Sequence, residues 1–447
     1  MEQDLTTGSV FKRIVYFSLP YLLSYFLQTL YGMADLFITG QFYGVDTITA
    51  VSNGSQIMHM MTVIIVGLAM GTTVTIGHSV GAKCMEQAEK IIGNTITLFM
   101  GIAVAFTVIL VVLVKPIVVL IATPQEAVAG TSIYLLICFI GIPFITAYNI
   151  ISSIFRGLGD SKSPMYFIGI ACVMNIALDY LFMGAFHMGA AGEALGTVCA
   201  QTFSVLVALW VIRRRKTGIS LKKSDFKIER AVIGQVLKIG IPVALQDGFI
   251  QVAFMIITVI ANSRGVSDAA AVGVVEKVIS ALFIVPSSML ATVSALSAQN
   301  LGAGKEKRAT DTLRYATVIT TIYGVIVAVL IQFIAENVVG IFTSDTTVVT
   351  MGSAYIRSYI WDCIFAGIHF SFSGYFAACG KSYIGFLHNI ISITFVRVPG
   401  SYLASKYFTD TLYPMGLAAP AGSLVSVAIC VTAFILLKRK SRVAQTV

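Results

Sequence analysis

Asp35, Asn175, Asp179 and Thr197 are polar residues set in otherwise apolar stretches of sequence. A carboxylate inside such a stretch costs about 3 kcal/mol or more once the segment is buried in lipid, so each one points to a function. Asn175 and Asp179 are four residues apart and share one face of a helix. Two carboxylates, an amide and a hydroxyl offer the hard oxygen donors that suit Na⁺. The same two carboxylates, sharing a low-dielectric site, resist ionising together, so the pair is also able to hold one exchangeable proton. Either cation neutralises the group, and the residue types leave Na⁺ and H⁺ open.

The elements that position these residues follow from composition. Of 447 residues, 57% are hydrophobic and only 11% charged, against roughly 25% charged in a soluble domain. Mean hydropathy is +0.87. A soluble fold could not cover that much apolar side chain with polar surface. The chain is therefore expected to be a polytopic membrane protein, which excludes disorder, coiled coil, collagen and a secreted disulfide scaffold. The seven cysteines are scattered with no C-x-x-C pair, and read as small packing residues.

A bilayer-crossing helix needs about 20 mainly apolar residues. Twelve such runs lie near 14–39, 53–77, 92–122, 128–155, 163–186, 193–212, 238–262, 270–297, 313–341, 350–376, 384–405 and 413–437. They are long and unbroken where barrel strands would alternate over about ten residues, so the expected class is all-α. All but six of the 30 Lys and Arg fall in alternate loops; the six are Lys115, Arg264, Lys277, Arg357, Arg397 and Lys406. By the positive-inside rule both termini face the cytoplasm, and the net charge of +9 is a topology signal with no nucleic acid required. Lys12 and Arg13 precede the first run, and no small-residue cleavage site follows it, so the first helix is expected to be uncleaved. The chain thus reads as a multi-pass membrane protein with both termini on the cytoplasmic side. The longest polar stretch carries Arg213 to Lys216, Lys222 and Lys223. It divides an N-terminal lobe, 1–212, from a C-terminal lobe, 238–447, through a basic linker, 213–237, whose charge suits anionic lipid headgroups.

The two halves repeat. Pro20 matches Pro242, Gly81-Ala82 matches Gly302-Ala303, and Phe155, Gly159 and Ser161 match Phe376, Gly380 and Ser382, at offsets of 222, 221 and 221. Six spans return the chain to its starting side, so the copies share one orientation, as in transporters built from duplicated bundles that rock about a midplane site. Twelve spans in two six-helix lobes, the segment from Pro20 to Gly40 with Asp35 inside it, and the Gly-Ala turns together resemble the multidrug and toxic compound extrusion (MATE) family over essentially the whole chain. The resemblance implies a secondary active antiporter: amphipathic organic cations leave the cytoplasm while H⁺ or Na⁺ enters. It implies no cofactor beyond the coupling ion, no enzyme activity, and a monomer. The alternative within the same architecture is a flippase for lipid-linked oligosaccharide, whose pyrophosphate calls for Arg or Lys along the cleft.

The polar constellation breaks the repeat. At the offset, Asp35 corresponds to Ile256 or Ile257, Asn175 to Val396 and Asp179 to Gly400, while Thr197 falls near Ser423 or Leu424. In archaeal and DNA-damage-inducible MATE proteins an Asp of span 1 with Asn, Asp and Thr of spans 5 and 6 forms the cation site, and the match falls on Asp35, Asn175, Asp179 and Thr197. Another branch uses a Glu of span 7 and an Asp of span 10; the nearest positions here are Ile250 or Gln251 and Ile368. Asp247, Glu276 and Asp362 lie elsewhere, and Arg397, Lys277 and Arg357 are expected to pair with them. Gln28, on the face of Asp35, Asn149, and Asp247 are candidate substrate-cavity residues. Pro20 removes one backbone bond of span 1 and permits a kink. The 16 Met, 28 Phe and 18 Tyr suit a re-packable pocket. Two decoys, Gly77-His78-Ser79-Val80-Gly81 and Gly302-Ala303-Gly304-Lys305, imitate a hydrolase elbow and a phosphate loop without the strands or Ser/Thr these need.

Overall fold

The computed structural model describes residues 4–214 and 220–446, with side chains up to residue 439. Arg215 and Lys216 of the basic linker, and the side chains of Lys440 and Arg442, lie outside the described residues. The described residues are all-α with no strand. The first half runs through Val10–Phe42, Val45–Gly81, Met85–Leu120, the pair Val128–Ile140 and Ile142–Gly157, Lys162–Asp179 with a π turn Tyr180–Ala185, and Ala190–Arg214. The second runs through Arg230–Asn262, Val266–Leu282 with Ile284–Gly302, Glu306–Gly340, Thr346–Tyr359 with Asp362–Ala378, Tyr383–Ser392 with a π turn Ile393–Arg397 and Val398–Tyr407, and Tyr413–Thr446. These are twelve spans among the described residues, six in each half.

Eight helices are individually long and apolar enough to cross a membrane, and the pair meeting at Gly141, bent by 51°, makes a ninth. The other three expected spans are still helical. Val10–Phe42 is diluted by Ser, Tyr, Gln, Thr and Asp35 along its length, and the tenth and eleventh are broken at Ile360–Trp361 and at a π turn. Helices run past the apolar runs because polar first and last turns stay hydrogen-bonded at the interface. Met85–Leu120 and Glu306–Gly340 expose Val108, Val112, Leu120, Ile322 and Phe333, a surface that suits lipid. The repeat recurs in the backbone. Lys83 and Gly304, 221 residues apart, both turn left-handed (φ 60° and 69°), as do Gly159 and Gly380 (φ 93° and 68°). Pro20 and Pro242 both lie inside the first helix of their half, and Val10–Phe42 runs unbroken through Pro20.

The chain divides into two compact units, one built on Val15–Ala244 and the other on Leu245–Leu301 with the chain from Lys305 onward. The division falls inside the helix Arg230–Asn262, two turns beyond residue 237. Its first turns pack in the first unit because glycines allow backbone to meet backbone: a Cβ on Gly71 would lie 2.1 Å from the Val236 carbonyl oxygen, and one on Gly240 2.3 Å from that of Leu68.

In the second unit Arg264 ties two loops together. Its Nε donates to Asp268 at 2.6 Å, Nη1 to the carbonyls of Ser405 and Phe408 at 2.9 Å each, and Nη2 to that of Thr409 at 2.9 Å. The Arg264 side chain is only 6% exposed. Replacing it orphans a buried carboxylate and several carbonyls, so Arg264→Ala is expected to cost about 3 kcal/mol. Thermal melting of the purified protein checks this; an unchanged midpoint would show the network to be ornamental.

Candidate functional site

The polar residues of the first half converge on one buried cluster. Span 1 supplies Asp35 (4% exposed), whose own turn is closed by the Thr39 hydroxyl donating to the Asp35 carbonyl at 2.7 Å. Span 5 supplies Asn175 and Asp179, both 0% exposed. Asp179 is the last residue before the π turn Tyr180–Ala185, a local widening that is common at functional positions. The amide nitrogen of Asn175 donates to Asp179 Oδ1 at 3.4 Å. Asp179 presses against span 6 where only glycine fits: a Cβ on Gly196 would come 2.1 Å from Asp179 Oδ1.

Span 6 brings Thr197 and a residue that the sequence reading passed over, Glu193. Glu193 is 0% exposed. Its Oε1 accepts from the Thr197 hydroxyl at 3.3 Å and the Tyr134 hydroxyl at 3.5 Å, and Tyr31 donates to Thr197 at 2.9 Å. Asp35 faces Asp179, Glu193 and Asn175. The signal for Glu193 was its place four residues before Thr197, hence on the same helix face. It escaped notice because it sits at the very start of the apolar run, where a charge passes for an interfacial one.

The cluster therefore holds three carboxylates, an amide oxygen and three hydroxyls. Asp35 Oδ1, Asn175 Oδ1, Asp179 Oδ2 and Glu193 Oε2 are buried without a hydrogen-bond partner. None of the three acids enters an ion pair among the described residues, and the charged groups that act on them are one another. Buried carboxylates left in this state call for a cation. Hard oxygens fit H⁺ or Na⁺ by type. No three His, Cys, Asp or Glu side chains converge as a metal cage among the described residues, so a Na⁺ ion here would rely on the amide and hydroxyl oxygens as well.

The candidate cavity residues are not gathered in this way. Asn149 (6% exposed) turns its amide onto the Ile145 carbonyl of its own helix at 2.8 Å. Gln28 is half-buried on span 1, and Asp247 is half-buried in the second unit with no ion pair among the described residues. The expected pairing of basic residues with Asp247, Glu276 and Asp362 takes another form. Arg357 pairs with Glu336 at 3.3 Å, Lys277 is exposed, and Arg397 donates to the Tyr359 hydroxyl. Long basic side chains reach the nearest accessible acceptor, which linear position does not reveal. The two decoy motifs are a helix end, Val45–Gly81, and a turn between helices.

Comparison with known proteins agrees with this architecture. The MatE family model matches residues 20–181 and again 242–403, so the two matches begin 222 residues apart, as the internal repeat requires. The probable multidrug resistance protein YpnP of Bacillus subtilis (strain 168) is 30% identical over 415 residues, covering 93% of each chain. The probable multidrug resistance protein NorM of Thermotoga maritima is 23% identical over 406 residues, 89% of this chain and 86% of that one. Among solved structures, a MATE protein in complex with MaL6 superposes with a TM-score of 0.90 at 20% identity, covering 99% of both chains.

Proposed function

From the membership of this chain in the MatE family, a family of membrane transporters and not of enzymes, we propose that it is a multidrug efflux antiporter that exports amphipathic organic cations in exchange for H⁺ or Na⁺. The observation that carries this reading is the group of buried carboxylates of Asp35, Asp179 and Glu193, which no basic side chain neutralises among the described residues. Asp35, Asn175, Asp179 and Thr197 take the coupling cation, and a lobe that is empty of cation presents negative charge to a cationic substrate. An excess of buried acid over base in the first unit disfavours a pyrophosphate-bearing lipid there, which supports efflux over the flippase alternative. Related proteins are named for multidrug resistance, in line with drugs as substrates. The protein works as a monomer in the cytoplasmic membrane, with both termini on the cytoplasmic side and lobes 1–212 and 238–447 joined through the basic segment 213–237, whose exposed Lys222 and Lys223 suit anionic headgroups. Gln28, Asn149 and Asp247 line the substrate path, and Pro20 is the point about which span 1 bends.

The test is efflux of a fluorescent organic cation from proteoliposomes, driven separately by a pH gradient and by a Na⁺ gradient. Efflux under one of them identifies the coupling ion. Efflux under neither, from correctly inserted protein, rejects the antiport reading and favours a lipid-linked substrate. Glu193→Gln is expected to fold as well as the parent, because an uncharged amide replaces a desolvated acid, yet to lower gradient-driven efflux on the order of tenfold. Initial rates at matched protein density check it, and parental rates would remove Glu193 from the coupling group.

A further inference from the structure

The second unit contains a mainly apolar cavity, with Phe254, Phe283 and Phe370 in its wall, into which Asp362, His369 and Arg397 bring polar groups. One cation serves two acids there. The Arg397 guanidinium is the basic group that acts on both Glu276 and Asp362. It is held by aromatic faces, 4.9 Å from the centroid of Phe254 and 5.5 Å from that of Tyr359, and it donates to the Tyr359 hydroxyl. Such stacking suits a guanidinium better than an ammonium. Arg397 Nε, Asp362 Oδ1 and Glu276 Oε1 are all buried without a hydrogen-bond partner. None of the three residues enters a direct ion pair among the described residues. The guanidinium thus shares a cavity wall with Asp362 and acts on both acids, yet forms an ion pair with neither among the described residues.

The comparison with the first unit gives this arrangement its meaning. There, buried carboxylates have no basic side chain and need a cation from solution. Here the cation is attached to the chain, on the last residue of the π turn Ile393–Arg397, within the same span of the repeat that carries Asp179 in the first half. A tethered charge cannot leave, so it stabilises the acids without exchanging. We propose that Arg397 is a resident cation occupying a second, otherwise cation-binding site formed with Asp362 and Glu276, so that exchange of the coupling ion is confined to the first unit. This deepens the antiport reading and rests on it for the word coupling, whereas the latent site itself is a statement about binding alone.

The experiment measures ²²Na⁺ binding to purified protein in an Asp35→Asn/Asp179→Asn background, which suppresses binding in the first unit. Adding Arg397→Gln leaves Asp362 and Glu276 without their cation, and saturable ²²Na⁺ binding is expected to rise from background toward one ion per chain. A further Asp362→Asn change should abolish that gain, and Arg397→Lys, which keeps the charge, should show none. Folded Arg397→Gln protein that binds no more ²²Na⁺ than its background overturns the proposal. The mirror variant covers the case in which Arg397→Gln does not fold: Asp362→Asn with Glu276→Gln leaves the guanidinium uncompensated, and saturable ³⁶Cl⁻ binding should appear. Its absence overturns the proposal equally. The binding comparison needs no transport, so it is told apart from the failure of the parent protein to move organic cations under a gradient, which would count against the antiport reading alone.

Discussion

Asp179→Asn is expected to abolish gradient-driven efflux while leaving the protein folded. Asp179 is fully buried, takes one hydrogen bond from Asn175 at 3.4 Å, and leaves Oδ2 without a partner. Its carboxylate faces that of Asp35 across a region where no ion pair is formed among the described residues. An amide of the same shape keeps the Asn175 contact and still fits against Gly196, but it removes one of the negative charges that make a cation welcome. Coupling free energies run to about 3 kcal/mol, so loss of a charge that the coupling depends on should lower driven efflux about a hundredfold. Stability should be unchanged or higher, because the desolvated charge is gone. Asp35→Asn should behave alike. Efflux rates and melting midpoints measured on one preparation separate the two effects; driven efflux persisting in both variants would mean that these carboxylates only hold helices together.

Gly71→Val has the largest expected effect on folding. A Cβ at Gly71 meets the carbonyl oxygen of Val236 at 2.1 Å and the amide nitrogen of Gly240 at 3.0 Å, and a Cβ at Gly240 meets the Leu68 carbonyl oxygen at 2.3 Å. Both obstacles are backbone in mid-helix, which no rotamer change relieves. The helices must separate along their length, opening the packing around Ile76, Val232 and Val236. The cost is about 3 kcal/mol or more, and little folded protein should survive extraction into detergent. Gly101→Ala is the control: nothing lies within 4 Å of its Cβ position, so the only change is up to about 1 kcal/mol of improved helix propensity. Size-exclusion profiles and melts of the two variants decide; a monodisperse Gly71→Val protein melting with the parent would show that the helices slide past one another freely.

Much of this molecule is legible before folding. Apolar runs of about 20 residues allow only helices in lipid, because every backbone polar group must be satisfied within its own segment. The twelve spans and their class follow from that. The repeat was legible in its turns: Gly159 and Gly380 match because a left-handed backbone favours glycine, and the Gly-Ala pairs match at the other turn, whose left-handed residues, Lys83 and Gly304, differ in type and gave no signal. The first-half polar group was legible because an acid inside an apolar run has no cheap explanation.

The rest depended on which helix faces which. Glu193 joins Asp35 and Asp179 only because span 6 packs on span 5 at Gly196, and a charge at the edge of an apolar run shows nothing of that from its own segment. Arg397 looked like one half of an ordinary ion pair, and only the packed unit shows it stacked on Phe254 and Tyr359, acting on two acids and in an ion pair with neither among the described residues. Composition and periodicity thus determined the environment of the chain, the class of its elements, their number and their duplication, because lipid imposes those on each segment separately. Tertiary structure decided which buried acids cluster with one another and which come under the influence of a basic side chain, because charge interactions in a dry interior depend on distances between segments that sequence order does not contain.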